Sequence, residues 1–110
     1  MKMAENLEVK GFKAAAVKAG IRGRDRLDLA LMVCEQPATA AGVFTTNLVK
    51  AAPVLLDMER VAKGSARAIL VNASIANACT GDEGLARAKR TAELAAAELG
   101  CAPEEVLVCS

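Results

Sequence analysis

Asn72-Ala73-Ser74-Ile75-Ala76-Asn77-Ala78-Cys79-Thr80-Gly81-Asp82-Glu83-Gly84 lies between two legible patterns. Ahead of it runs Ala68-Ile69-Leu70-Val71, apolar and of strand length. Behind it Leu85, Ala88, Ala92, Ala95, Ala96 and Leu99 recur at helical spacing. Strand, loop and helix in that order point to an α/β fold. The loop between carries the amides and hydroxyls of Asn72, Ser74, Asn77 and Thr80 at a strand end, a preferred place for ligand contacts. The same residue types also build ordinary connections for purely local reasons.

Working outward, Thr80-Gly81-Asp82-Glu83 fits a capping box, so the sequence predicts a helix over Asp82–Leu99. Arg87, Arg90, Glu93 and Glu98 fall on its outer side, and Lys89 can pair with Glu93 at i,i+4. Gly100 and Pro103 stop it. Upstream, Arg67–Asn72 is the strand that feeds the loop. Leu27–Cys34 reads as another strand, with Leu27, Leu29, Leu31 and Val33 on one face. Ala30, Met32 and Cys34 make the opposite face apolar too, so both faces are expected to be covered. Glu35-Gln36-Pro37 should end that strand, and Ala40–Thr46 is a further strand candidate whose end, Thr45-Thr46-Asn47, could line a polar site.

Ala52–Leu56 reads as extended, with Pro53 suited to an edge or a strand start. Asp57 then reads as the N-cap of a short helix, Met58–Lys63, stopped by Gly64. Leu7–Val17 offers one or two short strands kinked at Gly11, after a loose start at Met1–Asn6. Gly20–Arg26 is a charged turn, either a hairpin tip or a basic site for an anion. Glu104–Ser110 reads as a buried strand. A complete domain rarely stops on such a strand, so residues 1–110 are expected to form a single α/β region of a longer or a cut protein.

Composition removes several classes of function. Fourteen basic and thirteen acidic residues are interspersed, which leaves no electrostatic footprint for nucleic acid. Phe12 and Phe44 are the only aromatic residues, so there is no platform for stacking bases. No stretch reads as a signal or as a membrane span, and the expected compartment is the cytoplasm. Cys34, Cys79, Cys101 and Cys109 have no zinc-ligand spacing and are expected as reduced, small apolar core residues. The 110 residues contain no His. Ser-His-Asp and Cys-His catalysis cannot be completed within them, nor can a His-based metal site be built. Chemistry by this chain would need a carboxylate, a lysine or a terminal amine as base.

Three segments are more specific together than apart: Pro37–Asn47, Val49–Val54 and Asn77-Ala78-Cys79-Thr80-Gly81. In this order the chain resembles the N-terminal part of the α subunit in the bifunctional ornithine acetyltransferase/N-acetylglutamate synthase family of arginine biosynthesis. The likeness extends from about Gly11 to Ser110 and takes in Gly20, Asp28-Leu29-Ala30 and Pro103–Val108.

The resemblance implies a precursor that cuts itself, exposing an N-terminal threonine as nucleophile. That threonine would take acetyl from N-acetylornithine and pass it to glutamate, its own amine serving as base. It also implies a mixed β-sheet with packed helices, part of a fold shared with self-cleaving aminopeptidases. A β subunit from the same precursor and a heterotetramer follow by the same route. No bound cofactor is expected, with acetyl-CoA as a possible second donor. Every catalytic residue is implied to lie after Ser110, including a Thr-Gly oxyanion-hole pair directly following it. Within this chain Asn72, Asn77 and Thr80 are the candidates for supporting the site from behind. The usual loop of the family resembles Asn-Ser-Gly-Asn-Ala-Asn-Ala, so Ser74 stands where a glycine is common and Ile75 where an amide is. A positive φ at Ser74 would cost roughly 1 kcal/mol.

Three rivals follow. A related self-processing amidohydrolase would release free acetate. A non-catalytic interaction fragment would only pair with a partner chain. A phosphate-binding glycine loop is disfavoured, because Asp82 and Glu83 sit where the anion would.

Overall fold

Residues 2–3, 8–23 and 25–110 are described by a computed structural model. Five strands form one sheet in the order β1 (Lys2–Met3), β2 (Phe12–Val17), β3 (Leu29–Thr39), β4 (Ser65–Asn72) and β5 (Val106–Cys109). The first three pairings are antiparallel, and β4 and β5 are parallel. Parallel neighbours need a crossover, which α2 (Gly81–Leu99) supplies. The expected mixed sheet with packed helices is therefore what forms. Lys2–Met3 pair with Ala15 and Ala16 instead of forming part of a loose start. The rest of Met1–Asn6, and Arg24, fall outside the described residues.

Small side chains bring α2 close to the sheet. Ala88, Ala92 and Ala96 are buried against Ala68, Val106 and Val108, and Leu31, Val33 and Leu70 pack on this cluster. α1 (Ala52–Val61) closes the same side with Ala52 and Leu56. Only that face of the sheet is covered among the described residues. On the other, Met32 is 42% exposed and Val71 39%, against the expectation of two covered faces.

Three element expectations are corrected. Ala52–Leu56 is the start of α1, not an extended segment. Pro53 sits in its first turn, where a helix needs no N–H and the fixed φ is already right. Asp57 consequently lies inside the helix and caps nothing. β3 does not stop at Glu35 but continues to Thr39 through a register shift between Val33 and Ala38 that accommodates Pro37. Arg67 donates from Nη2 to the Glu35 carbonyl at 3.1 Å, occupying an acceptor freed by that irregularity. Finally, Ala40–Thr46 is not a strand, and Val43 is 99% exposed. Its end folds into a local turn with the residues that follow. Thr45 Oγ1 accepts from the Asn47 N–H at 3.1 Å, and Asn47 Oδ1 from the Val49 N–H at 3.0 Å. Side-chain bonds of this kind compete with a ladder.

α2 begins and ends as expected, with Gly100 left-handed at φ 69° and the Cys101 N–H bonded to the Ala96 carbonyl. Thr80 holds the N-cap position, but its side chain makes no cap bond to the helix, so the predicted capping box is not formed. Glu93 pairs with Arg90 at 3.3 Å, not with Lys89.

Candidate functional site

The loop 73–80 leaves the C-terminal end of β4, beside the C-terminal end of the parallel β5. Ligands of open α/β sheets bind in the crevice outside such strand ends. A depression of about 390 Å³ lies there, lined by Asn72, Ile75, Asn77, Thr80, Arg87 and Ser110 among others.

Asn77 is the hub. Its Nδ2 donates to the Gly84 carbonyl at 2.8 Å, and its Oδ1 accepts from the Thr80 hydroxyl. Its backbone N–H donates to Ser110 Oγ at 3.0 Å. One residue thus ties the loop to the first turn of α2 and to the residue following β5. The arrangement explains why Thr80 does not cap: its hydroxyl is turned back to Asn77. It also requires Gly84 to lack a side chain, since a Cβ there would collide with Thr80 Oγ1.

Asn72 plays a smaller part, donating from Nδ2 to the Ile75 carbonyl at 3.1 Å. Ser74 has φ 82°, the left-handed conformation that a glycine adopts without strain. Its hydroxyl accepts from Arg26 Nη2. Of the three residues singled out, then, Asn77 and Thr80 are joined directly, and Asn72 braces the same loop at its other end.

Two features escaped the sequence reading. Asp28, only 3% exposed, accepts from the Ala19 and Ile21 N–H groups at 2.6 and 2.7 Å. Its backbone carbonyl accepts from the Ala73 N–H at 2.9 Å, so the charged turn around Gly20 is anchored next to the loop. Its carboxylate is therefore spent on a turn. The second is the buried pair Asp57 and Arg60 on α1. Asp57 Oδ1 accepts from the Val108 N–H at 3.0 Å, and Arg60 Nη1 donates to the Val106 carbonyl at 2.6 Å. Burial pushes the Asp57 carboxyl above its ordinary range, against the lowering effects of the Val108 N–H and Arg60. Burial likewise lowers Arg60, with Asp57 opposing. The signal for this pair was the i,i+3 spacing of two charges among apolar residues, visible only once 52–61 is read as a helix.

No described cysteine is fully buried, contrary to expectation: Cys34 and Cys101 are half-buried, Cys79 and Cys109 exposed, and all four are free. Desolvation and the Asp57 carboxylate push the Cys109 thiol up, which makes it a poor nucleophile. Among the described residues no cluster of His, Cys, Asp or Glu is arranged to hold a metal, and no helix is long and apolar enough to cross a membrane. Thr45, Thr46 and Asn47 are exposed in their turn, and Thr45 and Asn47 satisfy it locally. The site thus offers positioned amides and hydroxyls with no nucleophile–base pair of its own.

The profile of the ArgJ family matches residues 13–110. The arginine biosynthesis bifunctional protein ArgJ of Geobacter sulfurreducens is 55% identical over 104 residues, and that of Desulfotalea psychrophila is equally similar. In both cases the match takes in 94% of this chain and 26% of the relative, so the chain spans about a quarter of the length of these curated relatives. Among solved structures, ornithine acetyltransferase of Mycobacterium tuberculosis, crystallised with ornithine, superposes with a TM-score of 0.87. It is 48% identical, and the match covers 92% of this chain and 55% of that one. The ArgJ structure from Bacillus halodurans gives 0.85 at 41% identity, covering 90% of this chain and 52% of that one.

Proposed function

Since the chain belongs to the ArgJ family, we propose that it is the N-terminal scaffold of a glutamate N-acetyltransferase that moves acetyl from N-acetylornithine to glutamate in arginine biosynthesis. In this reading an acyl-threonine carries the acetyl group between the two amino acids. The nucleophile and the substrate-binding groups belong to the part of the complete protein that this chain does not contain. The working enzyme is an assembly of two subunits cut from one precursor and paired as a heterotetramer.

The observation that carries the proposal within this chain is the bond from the Asn77 N–H to Ser110 Oγ. It holds the loop against the end of β5, where the following residues would supply the oxyanion-hole pair. Hydrogen-bond donors there must be fixed before charge develops on the substrate oxygen. A small loop whose Asn77 side chain is bonded on both sides is suited to that task.

The test uses the complete protein from its natural gene. Intact mass should resolve two chains, the second beginning with threonine. Incubation with N-acetylornithine and labelled glutamate should yield labelled N-acetylglutamate. Free acetate in its place would point to an amidohydrolase and overturn the transfer reading. Substituting acetyl-CoA for N-acetylornithine then decides whether a second donor is used.

A further inference from the structure

β5 is the outer strand of the sheet among the described residues, and one of its edges pairs with β4 over Val106–Cys109. Residues 106 and 108 direct their other backbone groups outward, where an edge strand would ordinarily meet water or another strand. Here those groups meet two charged side chains of α1. Asp57 takes the Val108 N–H and Arg60 the Val106 carbonyl, spaced as a neighbouring strand would space its acceptor and donor. Both side chains are costly to place there: Asp57 is 8% exposed and Arg60 6%. Apolar residues would pack at less cost but could not fix the strand along its axis. The two bonds set the position of β5 relative to α1, independently of its ladder to β4.

Resting on the acetyl-transfer reading, we propose that Asp57 and Arg60 are positioning residues for the oxyanion hole, clamping β5 so that the residues following Ser110 present their donors at a fixed point. Val108 lies two residues from Ser110, so slippage at the clamp is transmitted directly to that end. The Asn77 bond holds the same end from the loop side, and the clamp holds it from the helix side.

The experiment measures kcat and KM of the complete protein, with kcat normalised to the acetylatable second chain counted by intact mass. Turnover of the unsubstituted protein comes first; without it the acetyl-transfer reading falls, and this inference with it. Given that turnover, Asp57→Ala should lower kcat roughly 10²-fold with KM for N-acetylornithine within about twofold, as misplacement of a catalytic group does. Asp57→Asn keeps an acceptor oxygen and should retain kcat within about threefold. Should Asp57→Ala not fold, Asp57→Ser, whose oxygen falls one bond short, carries the same comparison. Unchanged kcat per active site in the Ala or Ser variant would overturn the proposal, because a residue that only covers the edge changes the folded fraction and nothing else. An Asn variant as impaired as Ala would overturn it too, by showing that the charge and not the acceptor matters.

Discussion

The Asn77 amide and the Gly84 carbonyl, 2.8 Å apart, join the loop after β4 to the first turn of α2. This contact exists because Gly84 has no side chain. A Cβ there would collide with Thr80 Cβ and lie 2.5 Å from Asn77 Oδ1. Alanine normally stabilises a helix relative to glycine by about 1 kcal/mol. At position 84 the sign should reverse, since overpacking costs roughly 1–3 kcal/mol and the obstructing Thr80 Cβ is not a movable tip. Gly84→Ala in the complete protein should therefore lower Tm, as thermal melts would show. A higher Tm would mean that the loop yields easily.

Asn77 and Asn72 look alike in sequence but differ in what they hold. Asn77→Ala removes a donor to Gly84 and an acceptor for Thr80 together, and should cost roughly 1–3 kcal/mol. Acetyl transfer should fall with it, because the bond to Ser110 depends on the loop's shape. Asn72→Ala loses one exposed bond to Ile75 and should cost less than about 1 kcal/mol. Melting and turnover of both variants, side by side, check the ranking. Equal effects would remove Asn77 from its central place.

How much of this was legible turns on a few residues. The path from Ala68 through the loop to Leu99 was readable because its periodicities are long and its stops, Gly100 and Pro103, are unambiguous. Asn77 and Thr80 could be named, but not joined, since their bond depends on a backbone path that side-chain type does not encode. Pro53 was misread because proline opens strands and helices alike; what decides is the apolar face of 52–61, which meets Val106 and Val108 from across the chain. That error hid Asp57 and Arg60. Ala40–Thr46 reads as a strand because threonine serves strands and turns alike, and only the local bonds of Thr45 and Asn47 distinguish them.

Ser74, at φ 82°, holds a conformation that costs a non-glycine residue roughly 1 kcal/mol. In return its hydroxyl accepts from Arg26, an exposed bond of modest worth. Ser74→Gly should relieve the strain and forfeit the bond, leaving Tm of the complete protein unchanged or raised by a degree or two. Turnover should not change, since the backbone keeps its shape. A clear loss of stability would show that the Arg26 contact outweighs the strain.

The last prediction concerns pH. Burial raises the Asp57 carboxyl above its ordinary value of 3.8, and the Val108 N–H and Arg60 offset this only in part. A group whose folded pKa is raised contributes stability that is complete below the unfolded pKa and is lost as pH rises through the folded one. Asparagine does not titrate. The Tm of the unsubstituted protein minus that of Asp57→Asn should therefore decrease as pH rises from about 4 to 7. Among the described residues, Arg60 and Cys109 are the groups coupled electrostatically to Asp57. Arg60 remains a cation throughout that range, and the Cys109 thiol, itself pushed up, remains neutral, so neither should distort the comparison. Melts of the two proteins at matched pH supply the measurement. A difference that grows toward neutral pH would reverse the conclusion: attraction to Arg60 would then exceed the cost of burial, and the clamp would owe more to the charge of Asp57 than to its acceptor.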